Sequence, residues 1–313
     1  MELSKYDIST EQALLPGTSH ALMLELVGSN KRVLDIGCDT GYLGRAMIAM
    51  GNRVSGVEIN PVSAEEAAKH LEKVVVADLE TGDLVAEFGR DSFDVVVLGD
   101  VLEHLRDPVT VLRQARPLLA ARGYVVISTP NIAHGDVRLA LLGGRFNYTK
   151  VGLLDDTHLR FFTRDSLVEM LHDAGFVLTD LRRSTAPLFT TELALSEADF
   201  DPALVASLRD DIEATTYQFV LSAVADDATS MESRQALHVD ELNTEAARLR
   251  TELAAATEQN EQLSGELAAL RERLDNVQAA HDEAVRQRDA ALDRLSFASL
   301  LRSVAGRLRN RSR

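Results

Sequence analysis

One cysteine, Cys38, stands in the 313 residues, so no intrachain disulfide and no cysteine-based metal cluster can form. Basic residues are also in deficit: 33 Lys and Arg face 49 Asp and Glu, a formal charge of -16. That balance argues against a general nucleic-acid binder, which needs a basic footprint. No apolar run approaches the roughly 18 residues of a membrane span. The opening MELSKYDIST lacks the basic start and apolar core of a signal peptide, and the expectation is a cytoplasmic protein. There is no HxxxH, no acidic triad, no P-loop and no serine-centred nucleophile motif. Kinase and hydrolase chemistry are set aside, and no required metal is expected. The adjacent pair Asp155–Asp156 could hold Mg²⁺, but neighbouring surface carboxylates are common.

What is present is 45% apolar residues in a recurring order. Valine-rich runs (KRVLDIG, NRVSGVEI, EKVVVAD, SFDVVVLGD, RGYVVISTP) alternate with helical stretches (YLGRAMIAMG, PVSAEEAAKHL, DPVTVLRQARPLLA). Strands this apolar are buried on both faces, which predicts an α/β fold with a doubly wound, mostly parallel sheet. TRDSLVEMLHDAGF reads as a helix capped by Thr163 and stopped by Gly175, and VLTDLRRS and TYQFVLSAVAD bring the strands to seven. This first domain spans 1–225, with a long connection at 131–162 and a small helical insertion at 186–215.

A linker at 226–231 follows, and then the composition changes. From about 232 to 295 there is no proline and one glycine, Gly265. Leu242, Leu249, Ala256, Leu263, Leu270 and onward to Ala291 recur every seven residues. Ala246, Leu253, Asn260, Leu267, Leu274 and onward to Leu295 fall four later. This is the heptad pattern of a long α-helical coiled coil over 232–300, expected to make a homodimer in which Asn260 can set register. The tail at 301–313 is basic (Arg302, Arg307, Arg309, Arg311, Arg313) beside an apolar stripe, a combination that could touch the inner face of an anionic membrane; a solvated basic end is the plainer reading.

Chemistry concentrates in VLDIGCDTG, residues 33–41. Its glycines, Gly37, Gly41 and then Gly44, depart from the G-x-G-x-x-G of dinucleotide loops. Asp35 and Asp39 are unsuited to a pyrophosphate. A carboxylate beside helix amides suits a ligand with both an ammonium and a carboxylate. That favours S-adenosylmethionine, although the spacing alone does not name it. Together with VSGVEIN, VVVADLE, FDVVVLGDVLEHLRDP and GYVVISTPN, the loop resembles the class I S-adenosylmethionine-dependent methyltransferases. The branch it most resembles contains the ubiquinone-biosynthesis O-methyltransferases. The resemblance covers about residues 30–225 and departs at Asp39, where the family usually has glycine.

The resemblance implies roles by motif. Asp35 and the amides around Gly37 and Gly41 would hold the methionine part. Glu58 would accept from the ribose hydroxyls, with Ile59 on the adenine. Asp78 would accept from the adenine amino group, with Leu79 on the ring, and Gly99 and Asp100 would lie beneath the cofactor's centre. Glu58 and Asp78 could instead be ordinary strand-end carboxylates capping helices.

Methyl transfer to a hydroxyl needs a proton acceptor. His158 in the long connection is the preferred base and His104 in VLEHLRDP the second candidate; each could instead be a structural histidine. His134 is expected to border the pocket, His20, outside every motif, to line an N-terminal lid, Tyr6 to cover the cofactor, and Phe146, Tyr148, Phe161 and Phe162 to line the acceptor cavity. With aromatics at 5% of the chain, the expected acceptor is a small molecule, glycan or lipid-linked group. N-methylation and a non-catalytic coiled-coil scaffold retaining a cofactor pocket are the alternatives.

Overall fold

The computed structural model of the protein describes residues 15–226 and, further along, 257, 259–260, 262–292, 298 and 300–302. Tyr6, the linker beyond Asp226, the heptad positions from Leu242 to Ala256 together with Leu295, and the tail from 303 lie outside the described residues.

Seven strands form one sheet in the order β3-β2-β1-β4-β5-β7-β6. They are β1 Arg32–Ile36, β2 Arg53–Glu58, β3 Val74–Val76, β4 Phe93–Gly99, β5 Leu119–Pro130, β6 Phe176–Thr185 and β7 Thr216–Ala225. Strands β1 to β5 pair in parallel, and β7 runs antiparallel between β5 and β6. Chain order reverses between β1 and β4, and at such a switch point the loops leaving neighbouring strands open a crevice.

Alternation along the strands builds two cores. Leu34, Ile36, Val96, Leu98, Val125 and Ile127 face one side with helices α5 Pro108–Ala115 and α7 Arg164–Asp173. Val33, Val95, Val97 and Val126 face the other with α1 Ser19–Val27 and α2 Tyr42–Ala49. Each fully buried side chain of this size contributes about 1.5–3 kcal/mol.

The shorter helices are α3 Pro61–Ala67, α4 Leu84–Phe88, α6 Gly135–Leu142, α8 Pro202–Arg209 and α9 Ile212–Thr215. The helix starts follow side-chain chemistry. Asn60 and Asp107 each cap a helix whose first residue is proline, and Thr163 and Ser166 form a reciprocal capping box. Helices α1 and α4 show no clear period, α1 being apolar nearly all round and α4 short, yet their ends follow the same chemistry: Thr18 and Asp83 cap their starts, and Gly28 and Gly89 stand at their ends. Between β6 and β7, α8 and α9 close on Leu139 and Leu188 in a small separate core.

A second unit of the chain, Asp240–Arg313, is described mainly as one helix, α10, over 262–292.

Gly56 lets β2 lie against the β1 loop, because a Cβ there would sit 2.5 Å from Cys38 Sγ and 3.0 Å from Leu71 Cδ1. Gly56→Ala is expected to lower unfolding stability by about 1–3 kcal/mol through overpacking. A lower urea midpoint with an unchanged slope is the readout.

Candidate active site

The loop after β1 turns on Gly37 (φ 74°) and Gly41 (φ 77°), with Asp39 left-handed at φ 47° between them. Aspartate tolerates this region better than most residues. A Cβ at Gly37 would lie 2.6 Å from Val101 in the loop after β4, so the two loops meet. Glu58, ending β2, clamps the turn: its Oε2 accepts from the Asp39 amide (3.0 Å) and its Oε1 from the Asn60 amide (2.8 Å).

The amides expected to hold the methionine part are already engaged. Those of Gly37 and Cys38 donate to the Val57 carbonyl and that of Gly41 to the Cys38 carbonyl. The spare capacity lies on Asp35 instead. It is 3% exposed, and its Oδ2 is buried with no hydrogen-bond partner. Burial, reinforced by the Glu58 and Asp39 carboxylates, pushes its pKa up to about 7. A ligand ammonium is the group that would relieve this charge.

At the edge beyond β2, Ile59 is 64% exposed, a bare apolar surface of the kind an aromatic base covers. Asp78 is exposed, and its Oδ1 accepts from the Glu80 amide (2.9 Å), so it braces the turn after β3. Leu79 is partly buried against the core of the sheet. Gly99 leaves room for Met23, whose Cε a Cβ would approach to 3.1 Å. Asp100 is left-handed at φ 54°, and its Oδ1 accepts from Ser128 Oγ (2.8 Å) and Gln218 Nε2 (2.9 Å).

One turn further on, in the 3₁₀ segment Leu102–His104, Glu103 organises the acceptor side. Its carbonyl accepts from the amides of Leu159 (2.7 Å) and Arg160 (3.0 Å), which draws the connection carrying His158 over His104. The two imidazoles pack edge to face with centroids 4.9 Å apart. Glu103 is itself 1% exposed. Its Oε2 accepts from Thr129 Oγ1 (3.2 Å), while Oε1 is buried with no partner. Burial, with Asp100 nearby, raises its pKa well above the carboxylate range. Burial also lowers the pKa of His158, helped by His104 and opposed by Asp155, so the ring is neutral at pH 7.

The His104 tautomer follows from its partners. Thr157 Oγ1 donates to Asp155 Oδ1 (2.6 Å), so His104 Nδ1 donates to the Thr157 oxygens (3.2 Å each) and Nε2 keeps a lone pair. One ligand atom each from Glu103, His104 and His158 lies within 4.8 Å of the others, a spread that could hold a metal ion. Short-spaced motifs could not reveal this cluster, because its members come from two distant segments. The adjacent pair Asp155–Asp156 is employed otherwise: Asp155 is buried and accepts from Thr157, and Asp156 pairs with Lys150 (2.5 Å).

Several expected pocket residues serve the fold instead. His134 is fully buried, capping α6 by accepting from the Asp136 amide (3.1 Å) and bonding the Ala186 carbonyl through Nε2 (3.0 Å). Phe162 is buried in the core of the sheet. Phe161, Phe146 and Tyr148 do continue outward from His158 as successive edge contacts. Sequence reasoning placed His20 outside every motif, yet α1 sets it beside Tyr42 (Nε2 to OH 3.3 Å) and within the field of Asp100. A polar cavity of about 480 Å³ at Asn131, Arg138, Thr163, Arg183 and Glu213 shares none of these residues. Its Arg138 and Arg183 are paired with Asp211 and Glu213.

Residues 12–181 match the family model described as a methyltransferase domain. The chain is 29% identical over 167 residues to the ubiquinone biosynthesis O-methyltransferase of Psychrobacter arcticus, covering 52% of this chain and 65% of that one. It is 30% identical over 176 residues to the same enzyme of Thiobacillus denitrificans, covering 55% and 75%. Thus it spans just under two thirds of the first relative and three quarters of the second. Among solved structures it is similar to the Burkholderia thailandensis 1,6-didemethyltoxoflavin-N1-methyltransferase, at 22% identity and a TM-score of 0.44, covering 69% of this chain and 80% of that one. With a methyltransferase-domain model matched across more than half its length, the chain belongs to the methyltransferase-domain family, and its cofactor is S-adenosylmethionine.

Proposed function

We propose that the protein methylates a hydroxyl group on a small-molecule, glycan or lipid-linked acceptor, with the Glu103–His104–His158 cluster receiving the acceptor. The observation that carries this reading is the packing of buried His158 edge to face on His104, whose Nδ1 is engaged by Thr157 while Nε2 is left over; burial also lowers the pKa of His158. The similarity to O-methyltransferases of ubiquinone biosynthesis supports oxygen as the nucleophile.

When bound, S-adenosylmethionine supplies an electrophilic methyl group on a sulfonium. Asp35 would face the ammonium, Glu58 the ribose hydroxyls, and Ile59 with Asp78 the adenine. The protein's remaining tasks are to place the acceptor oxygen and to give its proton a destination. His158 is uncharged at neutral pH and can take that proton, and the Asp155–Thr157 pair holds His104 in the tautomer that can do the same. The ring series Phe161, Phe146, Tyr148 offers an apolar wall to the acceptor's body.

A second reading rests on Glu103 Oε1. A buried carboxylate oxygen without a partner is costly, and a divalent cation shared with His104 and His158 would satisfy it. Glu103, His104 and His158 would then hold the ion, which would supply polarisation that lowers the pKa of the acceptor hydroxyl, its proton passing to water.

Four outcomes are expected. Calorimetry finds binding of S-adenosylmethionine and S-adenosylhomocysteine but not NAD, and Glu58→Ala weakens it by about 1.5–3 kcal/mol. Against a panel of hydroxyl and amine acceptors, product masses show methylated hydroxyls, and His158→Ala lowers kcat by about 10²–10⁴-fold with cofactor affinity retained; amine-only methylation refutes the choice of oxygen. A chelator that abolishes turnover, restored by added Mg²⁺ or Zn²⁺, selects the cation reading, and full activity in chelator selects the imidazole base.

The fourth concerns Asp35. Its pKa is raised on folding from 3.8 to about 7, so the ligand-free fold binds this proton more tightly than the unfolded chain and loses stability as pH rises through that window. Asp35→Asn should therefore stabilise the ligand-free protein more at pH 8 than at pH 5 in urea titrations, while cofactor binding is lost at both.

A further inference from the structure

Helix α10 carries a narrow apolar stripe that no described residue of its own unit covers. Leu263, Leu267, Leu270, Leu274 and Val277 follow one another at intervals of four and three, and each is 52–66% exposed. A helix that packs on a globular core needs a broader apolar face, whereas a strict stripe of this width is the seam of a coiled coil. The four-three phase makes Leu267 and Leu274 the a positions and Leu263, Leu270 and Val277 the d positions. Asn260, His281 and Arg288 then share the a row with the leucines.

We infer that the occupant of this seam is α10 of a second copy of the same chain, parallel and in register. Charge on the flanks favours that partner. Glu266 sits at a g position and Arg271 five residues on at an e position. In a parallel in-register pair each Glu266 faces the other copy's Arg271, so the complementarity is used twice. Asn260 on the a row meets its own copy only in this arrangement, where a side-chain amide can donate to and accept from its equivalent. Arg288, the residue least suited to the seam, is drawn aside by Asp289 at 2.8 Å. Toward that end the d row narrows to Ala284 and Ala291, so the five larger side chains upstream form the main contact.

The test uses the full chain. Light scattering at micromolar concentration should give twice the chain mass, and the double substitution Leu267→Asp with Leu274→Asp should return it to one chain mass. Unchanged urea unfolding and S-adenosylmethionine binding in that variant would show that the methyltransferase domain remains folded. Leu270→Cys should form a disulfide-linked dimer in a glutathione redox buffer, since equivalent d positions bring their Cα atoms within disulfide reach. Glu272→Cys, on the outer face of the same turn, should not. The native Cys38 is buried and does not compete. A single chain mass for the unmodified protein overturns the inference, as does a double mass that survives the two aspartates. A double mass without a Leu270→Cys crosslink overturns the parallel in-register seam in favour of an antiparallel pair or another surface.

Discussion

Burying carboxylates along one edge of the sheet is the constraint around which the rest of the site is arranged. Asp35 and Glu103 are almost completely enclosed, and Asp39, Glu58 and Asp100 are partly so. Such groups are costly unless a donor or a positive charge meets them. Glu58 and Asp100 are answered from within, by the amides of Asp39 and Asn60 and by Ser128 and Gln218. Asp35 Oδ2, Asp39 Oδ2 and Glu103 Oε1 are not answered. The first two lie at the end of β1 and in the loop that follows it, and the third lies beside His104 and His158, so the stranded electrostatics fall at two places along the edge.

The fold brings these groups together through parallel pairing. β1 lies between β2 and β4, so the loops that leave all three strands emerge at the same end. Contact between Gly37 and Val101 then couples the donor loop to the turn that carries Glu103 and His104. The carbonyl of Glu103 in turn fixes the connection carrying His158. Backbone hydrogen bonds thus make one residue both a wall of the acceptor site and the anchor of its opposite side.

The donor half was largely legible in the sequence, because its residues are tied to strand ends and turns whose signals are local. A glycine turn, a carboxylate closing β2 and continuous valine-rich runs can all be read without knowing what lies across the sheet. The acceptor half was legible only in part. His158 and His104 were identified, but Glu103 between them was not, since its importance comes from burial and from a partner segment remote in the chain. His134, following β5, was expected to border the pocket. Tertiary contacts make it a helix cap bonded to Ala186. The engagement of the Gly37 and Cys38 amides is likewise a long-range matter: both donate to the Val57 carbonyl of the neighbouring strand.

By itself, then, the sequence determined the alternation of strands and helices, the position of the glycine turn, the donor-side carboxylates and the heptad phase of α10. Each is set by steric or solvation preferences acting within a few residues. Only the tertiary structure decided which polar groups would be stranded in the interior, which histidine would keep a usable lone pair, and that His20 on α1 would join the site. Burial and long-range proximity set local dielectric and hydrogen-bond supply, and neither is a property of a short stretch of chain.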